Sequence, residues 1–285
     1  MNEEGPIDSV LMWRTARLGL WLEYHFLNLL GWASELVFKK NAKVMGDQDP
    51  DWEFEPSPSL KLSPTVIVVN DDMFSRFREG CIRSEQGVRR IVGPRALELS
   101  NGKVIEDVDV IIAASGYRPD FSLVSDLSHI VHADPELPPL PDLTQNFFSV
   151  NCPGSLACVS YCTANETAAT YRELQVMTVA QIWTGNSQVP SRDEMHRHTA
   201  AHQTWLWKRL RAFPSIPLGL VQAHTLFRFI QHKAGTGMYE YMGWGWRRWS
   251  FWWQDRALYR LVAWGANTPF MYRLFETGKR RAWAD

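Results

Sequence analysis

The residues that could do chemistry in this chain are few and far apart. Ser115-Gly116-Tyr117 closes an apolar run of Val108, Val110, Ile111, Ile112, Ala113 and Ala114. A hydroxyl, a phenol and a glycine that admits a ligand against bare backbone therefore stand together at its end. Thr163-Ala164-Asn165-Glu166 fits the S/T-x-x-E pattern of a helix start. The first N–H groups of a helix lack intrahelical partners, so such a start suits an anion or an electron-rich ring edge. His198 and His202 stand four apart, on one face of a helix, but no third ligand follows at metal-site spacing and no metal is expected. Cys81, Cys152, Cys158 and Cys162 include no C-x-x-C pair, which argues for a reducing compartment rather than a disulfide framework. Paired carboxylates, a Ser-His-Asp order and a reactive-cysteine setting are all lacking, so no catalytic residue is assigned.

The elements that must position these groups read as α/β. The run at 108–114 suits a strand buried on both faces of a parallel sheet, and ligands of open α/β sheets gather at the carboxyl ends of such strands. Four segments follow. Residues 1–64 give helix over 7–40 and then a proline-rich acidic linker. Residues 65–107 give a strand at Thr65–Asn70, a helical turn over 72–79 and an antiparallel meander that turns through Asn101-Gly102, a strong hairpin signal. Residues 108–190 add the apolar run, a proline-rich connector over 134–142, strands over 147–150 and 156–161, and a helix over 166–184 stopped by Gly185. Residues 191–285 open on a second capping box, Ser191–Glu194, whose helix reaches Arg211; a helix over 218–233 follows, then an aromatic stretch holding Trp244, Trp246, Trp249, Trp252 and Trp253.

The stretch V-D-V-I-I-A-A-S-G-Y-R-P-D-F, Val108 to Phe121, resembles the A-T-G-Y segment of flavin-containing monooxygenases and their Baeyer-Villiger relatives, with Ser115 in the usual threonine position. Arg172-Glu173-Leu174-Gln175 resembles the family's E-L-Q. Val189-Pro190-Ser191 through Met195 resembles its L-P-S-x-x-E-M, and Pro269 to Trp283 resembles the carboxyl end of fungal members, as at a natural terminus. The resemblance runs from Pro56 onward and corresponds to the carboxyl half of a complete enzyme. It implies part of a two-dinucleotide-binding-domain flavoprotein fold (parallel sheet plus meander, with a helical, aromatic-rich extension). It also implies FAD and NADPH as cofactors, and oxygenation of a small organic or secondary metabolite. Ser115, Gly116, Tyr117, Thr163, Ala164 and Asn165 are the positions it brings near the flavin. One departure is large: no G-x-G-x-x-G occurs. Gly235-Thr236-Gly237 lacks the third glycine and Gly243-Trp244-Gly245 puts tryptophan where backbone must approach pyrophosphate.

A net charge of −1, from 30 basic and 31 acidic residues, provides no field for nucleic acid. Met1–Pro6 has no basic-then-apolar leader, and the greasy stretch 18–38 carries Glu23, His25, Asn28 and Glu35, too polar to span a bilayer. A cytoplasmic chain is expected, with peripheral membrane attachment open. Three readings compete for the tryptophans of 244–253: an aromatic face packed on the main body, a surface lying on a membrane, or a protein contact, including a homo-oligomer. Two alternatives to an active monooxygenase also stand: a truncated, inactive flavoprotein-like chain working through a partner, and an incomplete gene model.

Overall fold

The structure, a computed structural model, describes residues 21, 24–26, 73–114, 119–122, 124, 127, 129–164, 168–212, 216–265 and 268–278. They belong to two compact units, one within Gly31–Arg118 and one formed by Met1–Leu30 with Pro119–Asp285. The mixture of helices and strands is α/β in content, but every strand pair in the described residues is antiparallel; the one parallel contact is an isolated bridge. The expected strand at Thr65–Asn70 lies outside the described residues.

In the first unit, helix α1 (Met73–Arg78) precedes a three-stranded meander of β1 (Val88–Gly93), β2 (Ala96–Leu99) and β3 (Val104–Ile105). The Asn-Gly turn forms as its chemistry dictates. Gly102 takes φ 83°, and the Asn101 side chain accepts a bond from the Lys103 N–H at 3.0 Å. Alternation on β2 buries Leu97 and Leu99 and turns Glu98 outward, to Arg89 and Arg90.

The apolar run after the meander is a correction to the sequence reading. Residues 106–114 form no strand, and Val110 and Ile112 are 73% and 84% exposed. A strand apolar on both faces is stable only with neighbours on both edges to take its N–H and C=O groups. Among the described residues no strand pairs with this run. Asp107 sits at φ 60° and Arg95 holds Asp109 at 2.8 Å, so the backbone turns where the strand was expected to begin.

The second unit is built on helices. They are α2 (Ala168–Trp183), α3 (Arg192–Ala212), α4 (Ala223–Ala234), α5 (Met238–Met242), α6 (Trp246–Gln254) and α7 (Arg256–Trp264), with a 3₁₀ turn at Pro269–Arg273. Two short hairpins precede them. In one, β4 (His129–Ile130) pairs with β5 (Leu140–Pro141); in the other, β6 (Leu143–Thr144) pairs with β7 (Phe148–Ser149). The second hairpin turns on Gln145 and Asn146, both left-handed at φ 52° and 62°. Ser191 Oγ accepts from the Glu194 N–H at 3.4 Å, as the second capping box requires.

One face of α3 carries three side chains a turn apart that hold the proline-rich connector. Gln203 and Trp207 donate to the carbonyls of Pro141 and Pro138, and Arg211 reaches Asp134. Proline leaves its carbonyl without an N–H neighbour on the same residue, and this face of α3 supplies the donors. The main core gathers Phe147, Phe148, Leu174, Phe227, Ile230 and Tyr272.

Helices α2 and α4 are joined through a buried hydroxyl. Thr178 Oγ1 donates both to the Leu174 carbonyl of its own helix, at 2.8 Å, and to the Ile230 carbonyl of α4, at 2.9 Å. Thr178→Val keeps the shape and removes the donor, and is expected to lower stability by about 1 kcal/mol. Urea unfolding checks this: the midpoint falls with the slope unchanged, and an unaltered midpoint contradicts the role.

Candidate functional site

The turn at Cys162–Ala164, ahead of α2 in the chain, has its backbone tied on two sides. Thr163 donates its N–H to the Gly219 carbonyl at 2.7 Å and accepts from the Val221 N–H at 3.1 Å, which makes the parallel bridge to Leu220. Just before it, Tyr161 donates its hydroxyl to the Leu218 carbonyl at 3.2 Å. Helix α2 holds the other side: Tyr171 donates to the Cys162 carbonyl at 3.1 Å, and Gln175 Nε2 donates to the Cys162 sulfur, also at 3.1 Å. The Gln175 amide oxygen in turn faces the Ser160 N–H at 3.5 Å. Two residues of one helix, a turn apart, thus fix the backbone that leads into Thr163 and Ala164.

This arrangement explains two departures from the sequence reading. Residues 156–161 do not form a core strand. Only Ala157 bridges to Phe148, after which Ser160 takes φ 76° and Tyr161 bonds back to Cys158 in a turn. The helix expected from Leu218 starts at Ala223 instead, because the main chain of 219–221 is engaged with Thr163.

Gly219 is needed where it lies. A Cβ there would run into the Tyr161 carbonyl oxygen and meet Thr163 Oγ1 at 3.4 Å. Cys162 is buried, and this burial pushes its thiol up to about 12, opposed by the Gln175 bond. Burial also raises Tyr161 and Cys158. The turn is therefore neutral at working pH.

Of the six positions that the resemblance brings to the flavin, Ser115, Gly116, Tyr117 and Asn165 lie outside the described residues. Thr163 and Ala164 are both half-buried, with Ala164 packed on the main core. The main-chain N–H of Thr163 is already bonded, so any ligand contact it makes runs through its hydroxyl. Gln175, Tyr171 and Gly219 are the positioning residues that the spacing did not single out. Gln175 does fall in the E-L-Q stretch, but a glutamine's partner is not written in its neighbours.

The glycine pairs do not make a pyrophosphate cradle. Gly237 takes φ 72° beyond the end of α4, and a Cβ on it would meet Phe275 at 3.0 Å and Thr277 at 3.1 Å. Side chains of the protein itself therefore lie against this glycine. A Cβ on Gly243 would meet the Tyr239 carbonyl oxygen, and Trp244 beside it is 90% exposed. His198 Nδ1 and His202 Nε2 are buried without a partner, and burial lowers His202 to about 4. Among the described residues no group of three or more His, Cys, Asp or Glu gathers to hold a metal.

Comparison with known proteins points the same way as the motifs. The family described as flavin-binding monooxygenase-like (FMO-like) matches residues 36–283. The chain is 29% identical over 295 aligned positions to the monooxygenase aurF of Gibberella zeae, an alignment covering 98% of this chain and 54% of aurF. It thus spans about half the length of that relative.

Two outcomes are expected. Gly219→Ala destabilises the fold by about 1–3 kcal/mol through overpacking, whereas Gly154→Ala, where a Cβ meets nothing, changes it by less than ~0.5 kcal/mol; thermal unfolding of the pair checks the contrast. For Cys162 the unfolded thiol ionises near its usual value of 9.0, while the folded one keeps its proton to about 12. Stability is then level below about pH 9 and falls as pH rises toward 12, because the unfolded chain sheds a proton that the folded chain holds. Urea midpoints taken across that range should decline less in Cys162→Ala than in the parent; parallel declines would remove Cys162 as the cause.

Proposed function

The chain belongs to the flavin-binding monooxygenase-like family, and on that premise we propose that it serves in FAD- and NADPH-dependent oxygenation of a small organic or secondary metabolite. Its own contribution is the part of the flavin site that faces the ring. When bound, the flavin supplies reaction with O₂ and NADPH supplies the reducing equivalents. The observation that carries this reading is the turn at Cys162–Ala164. It lies within the family match, is fixed by Gln175, Tyr171 and the 218–221 segment, and opens into α2. By resemblance alone, this turn and Ser115-Gly116-Tyr117 are assigned to the flavin in this reading. A rigid, neutral, half-buried turn suits the apolar edge of a ring system and helps exclude water from it. The side chains present orient and shield; none is assigned a proton to move.

The described residues do not fit the dinucleotide's pyrophosphate. Its cradle belongs to a glycine-rich half, on the same polypeptide or on a partner chain. A second reading follows from the exposed apolar run at Val110–Ile112: an inactive flavoprotein-like chain that works through a partner strand covering this run.

Titration of the purified chain with FAD and with riboflavin separates these readings. Contact with the ring alone gives reversible quenching of flavin fluorescence, affinities for the two ligands within about threefold, and loss of flavin on desalting. Binding of FAD more than about a hundredfold tighter than riboflavin means that a pyrophosphate cradle exists without the glycine fingerprint. No quenching by either ligand, with no NADPH oxidation, removes the flavin reading for this chain and leaves the partner-dependent one.

A further inference from the structure

The tryptophan-rich helices present a face that the core does not use. Helix α6 buries only Phe251, while Trp244, Trp246 and Trp253 are 90%, 76% and 71% exposed, and Trp249 is also exposed. Packing on the main body therefore accounts for Trp252 alone among the five. Helix α7 buries Tyr259, Val262 and Ala263 and leaves Leu261 and Trp264 to solvent; Phe270 follows, also exposed. A cleft of about 270 Å³, lined by Arg248, Trp249, Trp252, Tyr259 and Trp264, brings the aromatic residues of the two helices together.

The charge of this region differs from that of the chain as a whole. From Trp244 to Phe270 there are four basic residues, Arg247, Arg248, Arg256 and Arg260, against one acidic residue, Asp255. Asp255 is engaged in capping α7, accepting from the Leu258 N–H at 2.8 Å. Two of the arginines lie on tryptophan rings. Arg248 is 5.2 Å from the centre of Trp244 and 5.3 Å from that of Trp249, and Arg256 is 4.5 Å from Trp252 and 5.3 Å from Trp253.

We propose that this face docks on an anionic lipid bilayer, with α6 and α7 lying in the interfacial plane. Indoles favour the boundary where an apolar body meets a wet, polar headgroup layer, and guanidiniums beside them pair with lipid phosphates and carboxylates. Charge complementarity selects this occupant over a second copy of the chain, since a two-fold contact would set one arginine-rich face against another. The attachment is peripheral: among the described residues no helix is long and apolar enough to cross a membrane. The proposal is independent of the flavin.

Co-sedimentation of the full chain with vesicles tests it. Neutral phosphatidylcholine vesicles are compared with vesicles containing about 30 mol % phosphatidylserine, at low and high salt. The anionic vesicles are expected to pellet the protein, with a blue shift in tryptophan emission and release by salt. Trp246→Ser with Trp253→Ser should weaken binding by about tenfold or more while circular dichroism and thermal unfolding stay as in the parent, because both rings are exposed. Arg247→Glu with Arg256→Glu should abolish the preference for anionic lipid. Absence of protein from both pellets overturns the proposal. So does equal binding to both vesicles, and so does a concentration-dependent dimer that the tryptophan pair dissolves, which assigns the face to a second copy.

Discussion

The second unit depends on the main-chain pairing of Thr163 with the segment from Gly219 to Val221. Two strong backbone bonds are made there, and each flanking residue commits to a different body of side chains. Val221 points into the main core with Phe147, Leu174 and Phe227, whereas Leu220 joins Leu137, Leu140, Leu206 and Leu210 under α3. Alternate residues of an extended segment face opposite ways, so this short bridge connects two apolar clusters that otherwise have separate elements. Gly219 is the condition for it, since a side chain there would push Tyr161 away and open the pairing.

From that bridge the rest of the turn follows. Thr163 is fixed by main chain, and Cys162 beside it is held by α2 through the Gln175 amide and the Tyr171 hydroxyl. The amide donates to the Cys162 sulfur and accepts from the Ser160 N–H, while the Cys162 carbonyl is taken by Tyr171. A buried amide without any partner would cost more than this weak bond provides. The result is a rigid, uncharged stretch at the entry to a long helix, chemically suited to holding something flat and apolar rather than to acid-base work.

How much of this was legible in the sequence depends on the range of the interaction. Local chemistry was readable: Asn101-Gly102 makes its turn, Ser191 caps α3, and Gly185 takes φ 79° where α2 ends. Gln145 and Asn146 make an equally tight hairpin turn, but without glycine the left-handed pair carries no signature. The core strand expected at 156–161 failed because Ser160 turns left-handed and Tyr161 is claimed by a residue 57 positions away. The parallel sheet failed for a related reason. An apolar run such as 108–114 states that it needs cover, not where the cover comes from, and no described strand pairs with it. At the candidate site, motif resemblance pointed to Thr163 and Ala164, whereas the residues that hold this backbone (Gln175, Tyr171 and Gly219) act at long range and leave no local signature.

The aromatic stretch shows why composition alone misleads in the opposite direction. Tryptophan is the residue most often assigned to a core by size, and five of them between 244 and 253 favour packing on that ground. Only one face of a nine-residue helix can be buried, however, and on α6 Phe251 and the flank of Trp252 already fill it. Outside that buried face Trp244, Trp249 and Trp253 are exposed with a guanidinium against the ring, Arg248 for the first two and Arg256 for the third, and these charges keep that side toward water. An amphipathic helix normally sets charge opposite to apolar bulk. This one interleaves the two on its outer side, an arrangement that neither a dry core nor open water satisfies fully and that a charged lipid interface satisfies on both counts.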